Sequence, residues 1–504
     1  MRADAMNMSS SRRTRSLGAR FTLAALAVAA AFAVPAIHAQ DKSTSVSKVE
    51  RLNRAPVNKE ILRVKLPVPT TVKLPNGLTL LLLEDHKLPT IAFTMWIRPG
   101  QLADPNELPG LASFTADMLR EGTERRTSSQ IAAEVDSLGA SLSADSRFGA
   151  SYTSVNGSGL IDSASQILDL MSDIVLHPAF PEAELAKYKQ RQAAVLEERL
   201  SNPTFLGQQM FRRVLYGDAP LSVASPTKES IEKATRDDLK KFRDQHYRPG
   251  NTILGVTGDF KPAEMRAMVD KYFSAWTGKA EAPLAFPAVV TLQPARITLV
   301  DRPASVQTYI IGGGQSIRRT DPIYPTLAVM NQVLGGGAQA RLFLDLREEH
   351  GYTYGANSSY AFYRGGGPFV AGGLMRTNIT ADAVKELLYE IKRFPSNPPT
   401  DAELKMAKDA RVQSLPGQFE TTAATAGALS SIYLFDRPLN YYATLPEKYT
   451  SVTAAEVARV AKDDVHPDQL VIVAVGDRAK IEPALKELNI APVEYADPTG
   501  NIIK

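Results

Sequence analysis

Arg347 and Tyr354 stand seven positions apart in Leu346-Arg347-Glu348-Glu349-His350-Gly351-Tyr352-Thr353-Tyr354 and offer a guanidinium and a phenol. Both are hydrogen-bond donors suited to charge developing on an oxygen during acyl transfer, where one such donor changes a rate by about a hundredfold. Residue type alone leaves a plainer reading open: an arginine in a Leu-Arg-Glu-Glu run is an ordinary helix charge, and a tyrosine in an alternating strand is equally ordinary. Other chemistries lack their residues. The chain has no cysteine, which excludes disulfides, thiol catalysis and Cys-ligated metals. There is no G-x-S-x-G elbow, and Gly157-Ser158-Gly159 fits a bend in a strand. Gly335-Gly336-Gly337 is not followed by Lys-Ser or Lys-Thr, so it suits a tight helix exit better than a phosphate cradle. The histidines at 38, 86, 177, 246, 350 and 466 form neither H-x-H nor H-x-x-x-H.

The elements that must carry these residues follow from periodicity. Alternation from Val68, a turn at Pro75-Asn76-Gly77, and apolar runs at Leu78–Leu83 and Ile91–Ile97 predict strands with a hairpin. After Pro109, Leu111, Phe114, Thr115, Met118 and Leu119 recur on one helical face, with Ser113 and Asp117 opposite. Helical patterns recur at 128–138, 163–176 and 182–200, before an apolar strand that ends in Gly258-Asp259. The same ending returns as Gly476-Asp477, displaced by 218 residues, with the lead-ins His246-Tyr247-Arg248-Pro249 and Val465-His466-Pro467-Asp468. A period that long indicates domain duplication. Strands followed by runs of helices, without strict alternation, predict α+β: two homologous domains, each an antiparallel sheet with helices packed on one face.

The stretch Gly110-Leu111-Ala112-Ser113-Phe114-Thr115-Ala116-Asp117-Met118-Leu119, with Gly122-Thr123 after it, resembles the signature helix of the inverzincin peptidases, the pitrilysin/insulinase metallopeptidase family. That helix holds H-x-x-E-H, two zinc-binding histidines on one face and a glutamate that activates water. Ser113, Ala116 and Asp117 stand at those three positions, and Glu198 matches the family's third ligand. The resemblance therefore implies a degenerate site and no metal bound by this chain. A hard cation between Asp117 and Glu198 would need more oxygens than two carboxylates supply. The second half, from Leu334 to Phe343 and from Leu346 to Tyr354, resembles the family's C-terminal domain, whose arginine and tyrosine reach across the cleft to substrate and the zinc-bound intermediate; Arg347 and Tyr354 match them. Gly335, Gly336 and Gly337 resemble a short counterpart of the glycine-rich recognition loop of processing-peptidase partner subunits. Gly139–Ala144 and the strand 150–155 resemble the substrate-pairing edge, which implies Ser143 and Ala144 as peptide contacts. Alternation of Tyr152 and Val155 also suits any half-buried strand.

Composition is that of a globular chain of 504 residues, 44% apolar and 22% charged. Arg12, Arg13, Arg15 and Arg20, the apolar run Phe21–Val34, and Ala36 and Ala39 predict a secretory signal at 1–39. Arg15 stands where a twin-arginine signal usually has an apolar residue, which favours the general export route. The apolar run is shorter than the roughly 20 residues needed to cross a bilayer, and no later segment qualifies, so no transmembrane segment is expected. The formal charge of +4 arises in the leader, since without residues 1–39 basic and acidic residues balance at 53 each. No nucleic-acid partner is implied. The expected organisation is signal 1–39, lead segment 40–66, a peptidase-like domain at 67–276, linker 277–294, a second such domain at 295–490 and a tail at 491–504.

Together these readings predict a clam-like half-chamber exported to a bacterial periplasm. It binds extended peptide and supplies Arg347 and Tyr354 to the zinc site of a homologous H-x-x-E-H partner, with zinc in the partner and no cofactor of its own. The rival readings are an inert structural or peptide-binding subunit, and an autonomous peptidase that recruits replacement ligands beside Asp117 and Glu198.

Overall fold

The computed structural model describes residues 68–280, 294–317, 321–361, 363, 366–498 and 500–503. The expected signal and lead segment lie outside these residues. The first half runs β1 (Thr70–Lys73), β2 (Thr79–Glu84), β3 (Thr90–Ile97), α1 (Leu111–Met118), α2 (Ser128–Ser137), β4 (Ser141–Asp145), β5 (Thr153–Leu160), α3 (Ala164–Leu176), α4 (Glu182–Ser201), α5 (Pro203–Tyr216), α6 (Lys228–Lys233), α7 (Arg236–His246), β6 (Thr252–Gly258) and α8 (Pro262–Phe273). The second runs β7 (Arg296–Asp301), β8 (Gln307–Gln315), α9 (Tyr324–Leu334), α10 (Arg341–Phe343), a π-helical turn (Leu344–Glu349), β9 (Thr353–Tyr360), β10 (Pro368–Arg376), α11 (Thr380–Arg393), α12 (Asp401–Gln413), α13 (Thr422–Leu434), α14 (Tyr441–Ser451), α15 (Ala454–Asp464), β11 (Val471–Gly476), α16 (Arg478–Glu487), β12 (Val493–Ala496) and β13 (Ile502–Ile503).

Among the described residues the sheets are β1-β2-β6-β3-β5-β4 and β13-β12-β7-β11-β8-β10-β9, which share a five-strand order, β2-β6-β3-β5-β4 in the first and β7-β11-β8-β10-β9 in the second. The Asn76-Gly77 turn closes an antiparallel hairpin of β1 on β2, with Gly77 at φ 99° and the Asn76 amide donating to the carbonyls of Phe273 and Trp276. The expectation of antiparallel sheets is corrected at their centres: β6 lies parallel to β2, and β11 and β12 lie parallel to β7. Each of these strands arrives after intervening helices rather than a tight turn, and a crossover of that length permits parallel entry.

Helices cover both faces of each sheet, which corrects the expectation of one. Phe93, Val155 and Val256 face the half's own α1 and α3, where Gly157 lies so close to Met171 that a Cβ would sit 2.7 Å from its sulfur. The opposite face of β3 and β6 is covered by α13 from the second half, and a Cβ at Gly255 would sit 2.5 Å from Ser430 Oγ. Reciprocally, α5 from the first half covers β8 and β11, packing Leu206, Met210 and Phe211 on Ile311, Val471, Val473 and Val475. Burial on both faces is why β6 and β11 are near-continuous apolar runs without polar alternation.

At the α5 seam a Cβ on Gly207 would stand 2.4 Å from the Tyr309 ring. Gly207→Val should lower the unfolding free energy by about 2 kcal/mol through overpacking. Urea unfolding checks this, and an unchanged midpoint would mean that the seam yields without strain.

Candidate functional site

In the first half, α1 is fixed before its chemistry is considered. Gly110 precedes it at φ 99°, and Asp104 receives the amides of Gly110 and Ala112 at 2.7 and 2.8 Å, which satisfies donors that a helix N-terminus leaves open. Leu111, Phe114, Thr115, Met118 and Leu119 are buried as their spacing predicts, and Ala116 is buried with them. Ser113 and Asp117 are left part-exposed on the other side.

Their partner is Tyr188 from α4, which the sequence reading missed. Its hydroxyl donates to Asp117 Oδ2 at 2.6 Å and engages Ser113. Its ring packs edge-on against Phe114 at 5.7 Å, and the Arg191 guanidinium lies 5.9 Å from the ring centre. Burial raises Asp117 above the ordinary carboxylate range, while the phenol pulls it back. Burial and the Asp117 charge together hold the Tyr188 proton in place. A phenol thus links Ser113 and Asp117, the two positions that the resemblance in sequence sets against the signature's histidines. Glu198 is exposed and lies ten residues along the same helix, about 15 Å at the usual rise. Among the described residues, the side-chain groups close enough to share one ion include neither Asp117 nor Glu198. The structure therefore brings Asp117 to Tyr188 and not to a second carboxylate ligand.

β4 is an edge strand, with Ser143 exposed opposite Asn156 and Ala144 buried opposite Val155. Ser143 therefore faces a groove of about 350 Å³ whose walls include Thr94, Trp96, Tyr152, Asn156 and, from α13, Gly427. Trp96 and Tyr152 pack their rings 4.8 Å apart in that wall. Ala144 points into the core, so any peptide contact at that residue is made by its backbone.

In the second half the structure around Arg347 and Tyr354 is braced from several directions. Gly335 ends α9 directly on β9, where its carbonyl accepts the Ser358 amide at 3.0 Å; a Cβ there would sit 2.3 Å from that nitrogen. Gly335 is thereby a close-approach residue, while Gly336 and Gly337 are exposed. Arg341 is buried and grips Glu403 with Nε and an Nη at 2.8 and 3.0 Å, donates to the carbonyls of Asn397 and Pro398, and stacks on Phe394. This anchors the start of the segment that carries Arg347.

Arg347 itself is exposed, lies over the Phe343 ring at 4.7 Å, and approaches Glu348 at 3.5 Å. Tyr354 is 89% exposed on the edge strand β9. The β9–β10 register shifts between Gly373 and Met375, so Tyr354 and Gly355 bulge opposite Leu374. Thr353 fills the break: its hydroxyl meets the Leu374 carbonyl at 2.6 Å and the Gly355 amide at 3.0 Å. A bulge re-aims a side chain, and here the re-aimed residue is Tyr354.

The same fold appears in known proteins. The family description "Insulinase (Peptidase family M16)" matches residues 79–218, and "Peptidase M16 inactive domain" matches 233–411. The chain belongs to the insulinase/pitrilysin family, peptidase family M16. An uncharacterized zinc protease of Bacillus subtilis, YmxG, is 24% identical over 390 residues, 76% of this chain and 92% of that one. A probable mitochondrial-processing peptidase subunit beta of Arabidopsis thaliana is 23% identical over 426 residues, 81% of this chain and 78% of that one. The crystal structure of a peptidase M16 inactive domain from Pseudomonas fluorescens superimposes with a TM-score of 0.77 at 28% identity, covering 82% of this chain and 98% of that one. Ser113, Ala116 and Asp117 of α1 lie within the range that the insulinase description matches.

Two outcomes follow from these contacts. Tyr188→Phe should lower stability by about 1–2 kcal/mol, because it leaves a half-buried carboxylate short of a charged hydrogen bond; denaturant unfolding measures it, and Asp117→Asn, which keeps an acceptor, should cost less. Arg341 holds Glu403 down to about 2, below its ordinary 4.5. Its contribution is therefore present above about pH 5 and is lost as pH falls toward 2. Thermal unfolding across that window should show the loss in the natural chain and a flatter profile in Glu403→Gln.

Proposed function

We propose that this M16 chain is the non-zinc subunit of an exported, heterodimeric zinc metallopeptidase. It binds extended peptide along β4 and the adjoining groove, and it presents Arg347 and Tyr354 to the zinc site of a homologous partner that carries H-x-x-E-H. The observation that carries this reading is the pairing of a closed first-half site with an open second-half one: Ser113 and Asp117 are engaged by Tyr188, while Arg347 and Tyr354 are exposed on a braced turn and a bulge. A guanidinium and a phenol held by rigid backbone stabilise a tetrahedral oxyanion without a metal of their own. An edge strand beside a groove accepts a peptide through backbone hydrogen bonds. Export is inferred from residues 1–39; no helix among the described residues is long and apolar enough to cross a membrane.

A second reading, an inert structural or peptide-binding subunit, draws on the same Tyr188 contact, because a site closed by a phenol serves equally well where no chemistry occurs. Autonomous peptidase action fits poorly, since Asp117 is committed to Tyr188 and Glu198 lies elsewhere on α4.

Native mass spectrometry of the tagged chain isolated from its own host should reveal a zinc-bearing companion of similar size. In the reconstituted complex, Arg347→Ala and Tyr354→Phe should each lower kcat by about a hundredfold while the complex mass stays unchanged. Full activity in both variants, or a chain isolated without such a companion, would favour the structural reading.

A further inference from the structure

Behind Arg347 and Tyr354 lies a group of ionisable side chains that the peptidase reading leaves unused. The π-helical turn closes with the His350 amide on the Asp345 carbonyl, five residues back, at 3.0 Å. In an α-helix, residues five apart project about 140° from one another. The wider π turn brings them to one side, and His350 Nε2 lies 3.1 Å from Asp345 Oδ1. Glu386 reaches the same place from α11, so that one ligand atom each from Asp345, His350 and Glu386 lie within 4.8 Å of one another.

Two further features mark the spot. Asp345 is 9% exposed, and its Oδ2 is buried without a hydrogen-bond partner. Glu390, 2% exposed and one turn along α11 from Glu386, crowds the same carboxylate and is itself paired with Arg393. Asp345 and Glu386 thus meet at one imidazole, while Glu390 stands behind Asp345 with its own charge taken up by Arg393. Burying carboxylate charge is costly, and a cation bound at Asp345 Oδ1 and Glu386 offsets it.

We propose that Asp345, His350 and Glu386 form a site for one divalent ion of the zinc class, ligated by His350 Nε2 and one oxygen from each carboxylate. Tetrahedral zinc with bonds of about 2.0–2.2 Å places neighbouring ligand atoms about 3.3 Å apart, a spacing that His350 and Asp345 already meet at 3.1 Å. Half-buried Glu386 closes from the solvent side, and water completes the shell. The mixed nitrogen and oxygen set favours a zinc-like ion over calcium or magnesium, which prefer oxygen alone. Tyr352 stacks on the imidazole at 4.9 Å and orients it. Such an ion would pin the π turn to α11 and stiffen the backbone that carries Arg347 and Tyr354. The site is separate from α1, stands independently of the proposed peptidase role, and departs from the expectation that this chain holds no metal.

The test is zinc titration of the purified, chelator-stripped chain by calorimetry, with native mass spectrometry for stoichiometry. One ion should bind with a Kd near or below about 1 μM, and the thermal midpoint should rise on binding. Glu386→Gln and His350→Gln, each checked by circular dichroism for an unchanged fold, should weaken binding at least tenfold. His86→Gln should leave binding unchanged, although that imidazole also lies between two carboxylates, Glu84 and Asp259. Cobalt should give visible absorption bands that Glu386→Gln abolishes. The proposal is overturned if zinc binds no tighter than about 100 μM, if binding survives both variants, or if His86→Gln removes it.

Discussion

The constraint on which the rest depends is the burial of two central strands on both faces. β6 and β11 are buried along their whole lengths. Each half covers one face of its sheet with its own helices and lends one helix to the other, α13 to the first sheet and α5 to the second. On α5, Leu206, Met210, Phe211 and Leu215 pack into that cover. At about 1.5–3 kcal/mol for each large apolar side chain, their exposure would cost roughly 6–12 kcal/mol. That is comparable with the whole stability of a typical domain. The two halves are therefore one folding body, although their sheets are repeats of each other.

This exchange also determines where chemistry can occur. With the centres of both sheets covered, the open backbone lies at the rims, and β4 and β9 hold equivalent rim positions in the shared strand order. One rim adjoins the groove lined by Trp96 and Tyr152, and the other carries Tyr354 on its bulge. α13 serves twice, because the helix that covers β3 and β6 also supplies one wall of the groove.

What was legible in the sequence was what local periodicity encodes. The repeated Gly-Asp strand endings gave the duplication, and the apolar arc of α1 predicted which of its residues are buried. The near-continuous apolar runs of β6 and β11 signalled strands, yet nothing local says which helix covers their second face, since α5 and α13 are coded far from the sheets they complete. Tyr188 escaped for the same reason: 71 residues separate it from Asp117, and a tyrosine in a charged helix carries no local mark. The Thr353 bulge and the π turn were invisible because each depends on hydrogen bonds made to one side of an otherwise regular pattern. Gly335 was legible as a tight helix exit, and the structure adds its reason, the approach of Ser358.

The asymmetry between the repeated halves is the most informative feature of the chain. In the first half, the part-exposed polar positions on α1, Ser113 and Asp117, are answered by a single phenol. In the second half, the structure runs the other way. The Arg341–Glu403 pair, the Gly335 approach, the π turn and the Thr353 bulge all hold a segment whose own side chains, Arg347 and Tyr354, are exposed. A surface arginine and tyrosine without a task need no such support, because exposed side chains away from special features contribute little to stability. Irregular backbone such as a π turn or a bulge is sustained only where the surroundings fix it. Rigid placement of exposed donors is what recognition of a second molecule requires, since ordering them beforehand removes an entropic cost from binding. It is on the second half, therefore, that the proposed encounter with a partner and its substrate rests.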